Sequence, residues 1–173
     1  VDARTHAKIS TGKAENKFGV PISDAGAIFD RLAGLNGLNL RGVAIHIGSM
    51  IADLSPLEEA FVKVGALVTE LRAAGHTITH VDLGGGIGVP YKPTDIMPDP
   101  ADYGAMVARV TAGWGDVTLM FEPGRLIAGN AGILLTEVIR VKPGVERPFV
   151  IVDAAMNDLA RPSLYDAYHH FEA

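Results

Sequence analysis

Apolar positions along the chain follow two rhythms. Leu57, Ala60, Phe61, Val64, Leu67, Val68 and Leu71 recur at helical spacing, which predicts an amphipathic helix that ends before Gly75. Ser55-Pro56-Leu57-Glu58 predicts its start, with Ser as cap, Pro at the first helical position and Glu three residues after the Ser. A second helix is predicted from Asp99-Pro100, with Tyr103, Met106, Val107 and Val110 on one face, and a shorter one over Ala25 to Leu32, capped by Ser23 or Asp24 and followed by Gly34. The other rhythm is a set of short apolar runs, Val43 to Ile47, Ile78 to Leu83 and Val117 to Phe121. Each is apolar on both faces or nearly so, as buried parallel strands are.

The ends of these runs, near His46, Leu83 and Glu122, lie roughly 40 positions apart, which fits a repeating strand–loop–helix unit with right-handed crossovers. The predicted fold class is therefore α/β. A complete (β/α)8 barrel takes ~250 residues, so residues 1–128 are expected to form the later part of one. Beyond Arg125 the helices stop. Ile133 to Val141 and Phe149 to Val152 read as strands joined by the turn Lys142-Pro143-Gly144, which predicts antiparallel pairing. Residues 129–173 are accordingly expected to begin a second, mostly β domain. The chain opens on Val1-Asp2-Ala3 and closes on Phe171-Glu172-Ala173, and both ends are expected to be internal to a longer polypeptide.

Composition narrows the function classes. With 48% hydrophobic residues the 173-residue chain is expected to fold around a core. A formal charge of −5, without a basic run, argues against nucleic acid or an anionic membrane surface as partner. No apolar stretch approaches the ~20 residues of a membrane span, and residues 1–17 carry no signal-peptide core. The absence of cysteine removes disulfides and thiolate metal sites, and fits the cytoplasm.

The chemistry-bearing residues cluster at the C-terminal ends of the predicted strands, where barrel enzymes build their sites. His46-Ile47-Gly48-Ser49 offers an imidazole that can stack on a flat ring or move a proton, and a hydroxyl suited to a phosphate, although a core His before an ordinary turn accounts for it equally well. Asp82 to Gly88 carries three consecutive glycines, Gly84, Gly85 and Gly86, which favours backbone amides converging on an anion over a simple turn. A dinucleotide fingerprint fits poorly, because Pro90 and Pro93 stop a helix from following. Glu122-Pro123-Gly124-Arg125 pairs a carboxylate with a guanidinium, either as a turn ion pair or as a site for a pyridine nitrogen and an anion. Arg161 and Tyr165 are four apart, so one helical turn would put them on one face, although composition alone favours a solvated loop there. Asp82, Asp153, Asn157 and Asp158 are expected to fix loops.

Taken in order, HIGS, DLGGGIG, EPGR and DAAMNDLARPSLYDAYH resemble the alanine-racemase-like decarboxylases that depend on pyridoxal 5′-phosphate (PLP), and the opening DARTHAKISTGKAENKFGV is similar as well. The glycine run and EPGR are shared by ornithine and arginine decarboxylases of this fold, whereas MNDLARPSLYDAYH points to the diaminopimelate branch. The resemblance implies decarboxylation of meso-2,6-diaminopimelate to L-lysine and CO2, by a homodimer. It implies that His46 stacks on the PLP ring and that Ser49, Gly84, Gly85 and Gly86 hold its phosphate. Glu122, within Glu122-Pro123-Gly124-Arg125, would face the pyridine nitrogen. Arg125 would lie between cofactor and substrate, and Arg161 and Tyr165 would bind the distal carboxylate of the amino-acid substrate. The family's Schiff-base lysine sits in a Lys-Ala-Asn motif, and none of Lys8, Lys13, Lys17, Lys63, Lys92 or Lys142 is in that context. The family's C-terminal cysteine has no counterpart here either, so these 173 residues alone are expected to be inactive. A decarboxylase of ornithine, arginine or a carboxy-polyamine is the alternative enzyme reading, and a silent paralogue that binds a partner is the alternative outside enzymes.

Overall fold

The computed structural model describes residues 1–4 and 17–172. Most of the opening segment compared above, with Lys8 and Lys13, lies outside them. The chain divides into two compact units, Val1–Val89 with Ile96–Gly129, and Pro90–Asp95 with Asn130–Ala173.

The first unit is a parallel sheet backed by helices. Its strands are β1 (Gly42–Ala44), β2 (His80–Gly85) and β3 (Thr118–Glu122), in the order β1-β2-β3. The helices are α1 (Ala25–Ala33), preceded by a short 3-10 turn, α2 (Ser55–Ala73), α3 (Pro100–Thr111) and α4 (Arg125–Ala128). The predicted apolar stripe of α2 is buried at Leu57, Ala60, Phe61, Val64, Val68 and Leu71. It packs with Val81 and Leu83 of β2 and with Met106 and Val107 of α3. Phe61 is completely buried, which contributes ~2–3 kcal/mol of apolar transfer energy, and it meets Tyr103 edge-on at 6.3 Å. Among the described residues, no helix is long and apolar enough to cross a membrane.

Helix starts were only partly as predicted. Asp99 accepts a hydrogen bond from the Ala101 amide and Pro100 follows it, as the sequence suggests. At α2, Ser55 is the first helical residue rather than the cap. The Asp53 carboxylate takes up both the Ser55 amide and its hydroxyl, at 2.9 and 2.7 Å. Glu58 does not close a capping box; its carboxylate is held in a two-point pair by Arg109 of α3, at 2.7 and 2.9 Å.

Strand limits also shift. The run Val43 to Ile47 is a strand only over β1, although the Ile45 amide still donates to the Asp82 carbonyl and Ile51 bridges Ile87 beyond it. The run Ile78 to Leu83 becomes His80–Gly85, so Gly84 and Gly85 lie within the strand.

The second unit holds a hairpin of β4 (Val138–Lys142) and β5 (Phe149–Val152), antiparallel as predicted, and a short α5 (Arg161–Tyr165). The predicted strand from Ile133 begins only at Val138. β5 offers four residues and its pairing ends at Val138↔Val152, which leaves Ile133 and Leu135 without a ladder and 92% and 88% exposed.

Candidate functional site

Parallel pairing puts the C-terminal ends of β1, β2 and β3 on one edge of the sheet. His46 lies two residues beyond β1, and its Nδ1 is 3.5 Å from the Gly85 amide. Glu122 ends β3 and is the cross-strand partner of Gly85. The structure thus brings His46, Gly85 and Glu122 together at that edge. Ser49 is half-buried in the turn between β1 and Ile51. A cleft of about 970 Å³ is lined by β1 and by His46, Asp82 and Glu122 together with Phe18, Ile22 and Phe29. Ser49, Gly84, Gly85, Gly86 and Arg125 do not line it.

The glycine run has a definite local geometry. Asp82 pairs with Met120 and Gly85 with Glu122, so β2 spends one residue more than β3 between those pairs. This is a β-bulge, a device that re-aims strand ends beside functional sites. Gly84 sits at φ +66° and Gly86 at φ +100°, where residues with a Cβ are strained. The Asp82 carboxylate accepts the Gly84 amide at 2.8 Å, which fixes the bulge. The loop-fixing role expected of Asp82 is therefore visible, and one of the three glycine amides is already engaged. A Cβ at Gly84, Gly85 or Gly86 would overlap the carbonyl oxygen of Ile45, Glu122 or Gly48 respectively. Close approach of neighbouring backbone is a requirement for these glycines that the sequence reading did not separate from anion binding.

Glu122-Pro123-Gly124-Arg125 is a strand–turn–helix junction. Gly124 takes φ +49°, and Arg125 opens α4. The Arg125 Nη1 atom is sealed from solvent and has no hydrogen-bond partner among the described residues. In the second unit Arg161 opens α5 and Tyr165 closes it. The guanidinium carbon of Arg161 stands 5.4 Å from the Tyr165 ring centre and 5.5 Å from that of Tyr91. The Arg161 Nε is also buried without a partner. Buried cationic donors without partners are rare, because each forfeits its hydration. Each donor by itself, Arg125 in the first unit and Arg161 in the second, fits a group that brings anionic oxygens, such as a phosphate or a carboxylate. With an imidazole and a carboxylate at the strand edge, the residues present fit PLP.

The other loop residues behave as expected. Asp153 accepts from the Thr136 hydroxyl and the Glu137 amide, and Asp158 from the Ala155 amide. Tyr91 and Asp95 escaped the sequence reading. Pro90 and Pro93 marked the segment as non-helical, but nothing in the local pattern tied it to Arg161.

Comparison with known proteins agrees with this chemistry. Residues 1–129 match the family described as pyridoxal-dependent decarboxylase, pyridoxal binding domain. The chain is 52% identical to diaminopimelate decarboxylase of Zymomonas mobilis, over 100% of this chain and 41% of that protein. The crystal structure of diaminopimelate decarboxylase from Helicobacter pylori complexed with L-lysine superposes with a TM-score of 0.91 at 42% identity, covering 98% of this chain and 42% of that one. A crystal structure of SrLDC with PLP and cadaverine gives 0.78 at 28% identity, covering 90% and 41%. The chain spans about two fifths of the length of these relatives. Its parallel α/β unit is the barrel part of their fold, and with the family match over residues 1–129 the chain belongs to the pyridoxal-dependent decarboxylases.

Proposed function

We propose that the full-length enzyme bearing this sequence decarboxylates meso-2,6-diaminopimelate to L-lysine and CO2, and that residues 1–128 and 129–173 divide between its barrel and its β domain. The observation that carries this reading is the meeting of the His46 imidazole, the glycine-rich end of β2 and Glu122 at one edge of the parallel sheet. The 52% identity to a diaminopimelate decarboxylase along the whole chain supports the choice of substrate.

Bound PLP supplies an electron sink for the pair left at Cα as CO2 departs. His46 would supply the imidazole that holds the cofactor ring. Glu122 would hold a proton at the cofactor's ring nitrogen, which would strengthen the electron sink. Ser49 and the backbone of Gly84, Gly85 and Gly86 would hold the phosphate, with the Gly84 amide committed to Asp82. Pro123 and Gly124 turn the chain so that Arg125 reaches the junction of cofactor and substrate. Arg161 and Tyr165 hold the distal carboxylate of the amino acid. The Schiff-base lysine comes from sequence outside these 173 residues. The working form is a cytoplasmic homodimer.

A decarboxylase of a substrate with a distal amine is the second reading, supported by the likeness to SrLDC with cadaverine. Arg161 argues against it, since an amine would call for an acid at that place. The test is CO2 release by the full-length holoenzyme from diaminopimelate, ornithine and arginine. Release from diaminopimelate alone is expected; turnover of ornithine or arginine at comparable kcat/KM would overturn the assignment.

A further inference from the structure

We infer that Tyr91 is a positioning residue for substrate selection: with Tyr165 it brackets the Arg161 guanidinium and aims it at the distal carboxylate. The inference rests on the role proposed for Arg161 and adds a residue from a distant part of the sequence. Tyr91 follows the glycine-rich end of β2, seventy positions before Arg161, and segment Pro90–Asp95 belongs to the same compact unit as α5.

Three observations converge on Tyr91. The Arg161 guanidinium lies over its ring at 5.5 Å and over the Tyr165 ring at 5.4 Å, so the cation meets two aromatic rings. The Tyr91 ring is steadied by His169, which meets it edge-on at 5.6 Å and 68°. Its backbone is fixed by Asp95, whose Oδ2 accepts from the Tyr91 and Lys92 amides, each at 2.9 Å. The same two amides hold the Asp95 carboxyl below its ordinary range. A flexible arginine anchored this way loses less conformational freedom when it takes up a carboxylate. Contact with the π faces of the two rings takes up none of the guanidinium N–H donors by hydrogen bonding, and these are the groups that bind a carboxylate. The Nε–H, buried without a partner among the described residues, is one of those donors.

The test uses the full-length holoenzyme with Tyr91→Leu, Tyr91→Phe and Arg161→Ala. Steady-state kinetics on diaminopimelate are combined with calorimetric binding of L-lysine, which keeps the distal carboxylate, and cadaverine, which lacks it. Tyr91→Leu is expected to raise KM and the lysine Kd about tenfold, with kcat within about twofold and cadaverine binding unchanged. Tyr91→Phe keeps the ring face and should restore lysine binding. If Arg161→Ala weakens lysine binding and Tyr91→Leu does not, the Tyr91 role is overturned while the Arg161 role stands. If Arg161→Ala leaves lysine binding unchanged, both fall. Equal loss of lysine and cadaverine affinity in Tyr91→Leu also overturns the inference, because it would mean general damage to the site.

Discussion

Gly85 of β2 packs against the backbone of Glu122 of β3 so closely that no side chain fits between them. The contact joins the glycine run to the carboxylate that ends the next strand. Gly85→Ala would force Glu122 and its strand end outward, since the obstructing atom is a backbone carbonyl. A loss of about 2–3 kcal/mol in unfolding free energy is expected, with weaker PLP binding in spectral titration. Gly104→Ala is the contrast: a Cβ there meets nothing within 4 Å inside α3, and the variant should gain ~0.5–1 kcal/mol. Chemical denaturation of the two variants checks both signs.

Arg72 provides the next prediction. From the end of α2 it donates to the carbonyl oxygens of Ile78 (Nε at 3.2 Å, Nη2 at 2.7 Å), Trp114 and Asp116 (Nη2 at 3.0 Å). One guanidinium thereby ties the loop entering β2 to the loop entering β3. Arg72→Met keeps the apolar stem and removes every donor. A loss of about 2 kcal/mol or more is expected, because charge-assisted bonds to several carbonyls go together. Arg72→Lys should recover only part of it, since an ammonium cannot reproduce the planar fork. Denaturation midpoints of the two variants decide the point.

These two cases show how far the sequence could be read. The α2 stripe, the three parallel strands and the hairpin follow from periodicity, because burial of one face or two leaves a direct imprint on residue type. His46, Glu122 and Arg125 could be picked out as candidates because they stand at or just beyond the ends of apolar strand runs. What stayed hidden depends on contacts remote in sequence. Glu58 looks like half of a capping box but is claimed by Arg109, fifty-one positions away. The glycines read as an anion cradle, while the bulge opposite Glu122 and the Asp82 bond to Gly84 emerge only once the strands are in register. Tyr91 reaches Arg161 through the tertiary fold alone.

Tyr103 should be detectable by titration. Its half-buried ring packs between Phe61 and Phe121, and burial pushes its phenol up to about 12 from 10.0. The folded state thus retains this proton more strongly than the unfolded state. The resulting stability is present in full below pH 10 and is lost as pH rises through about 12. Tyr103→Phe should remove the latest phenolate absorbance step and flatten the fall of Tm above pH 10. An unchanged late step in the variant would refute the assignment.

Asp153 gives the second pH-dependent case, at the opposite end of the scale. Its Oδ1 accepts from the Thr136 hydroxyl at 2.7 Å and the Glu137 amide at 2.8 Å, which clamps the approach to β4 onto the end of β5. The Thr136 bond first, then the Glu137 amide, holds the carboxyl below its ordinary 3.8. A depressed folded-state value means that this clamp stabilises the hairpin above pH 3.8 and is lost as pH falls through the lowered value. The group is exposed, so the effect is local. The protection factor of the Glu137 amide, its exchange rate taken relative to the intrinsic rate at each pH, should therefore fall on acidification below pH 3.8, while Val81, buried in the core, keeps its protection. Asp153→Asn cannot ionise and should abolish that pH dependence at Glu137. If Glu137 exchange in the variant still follows the wild-type acid profile, the clamp is not the cause.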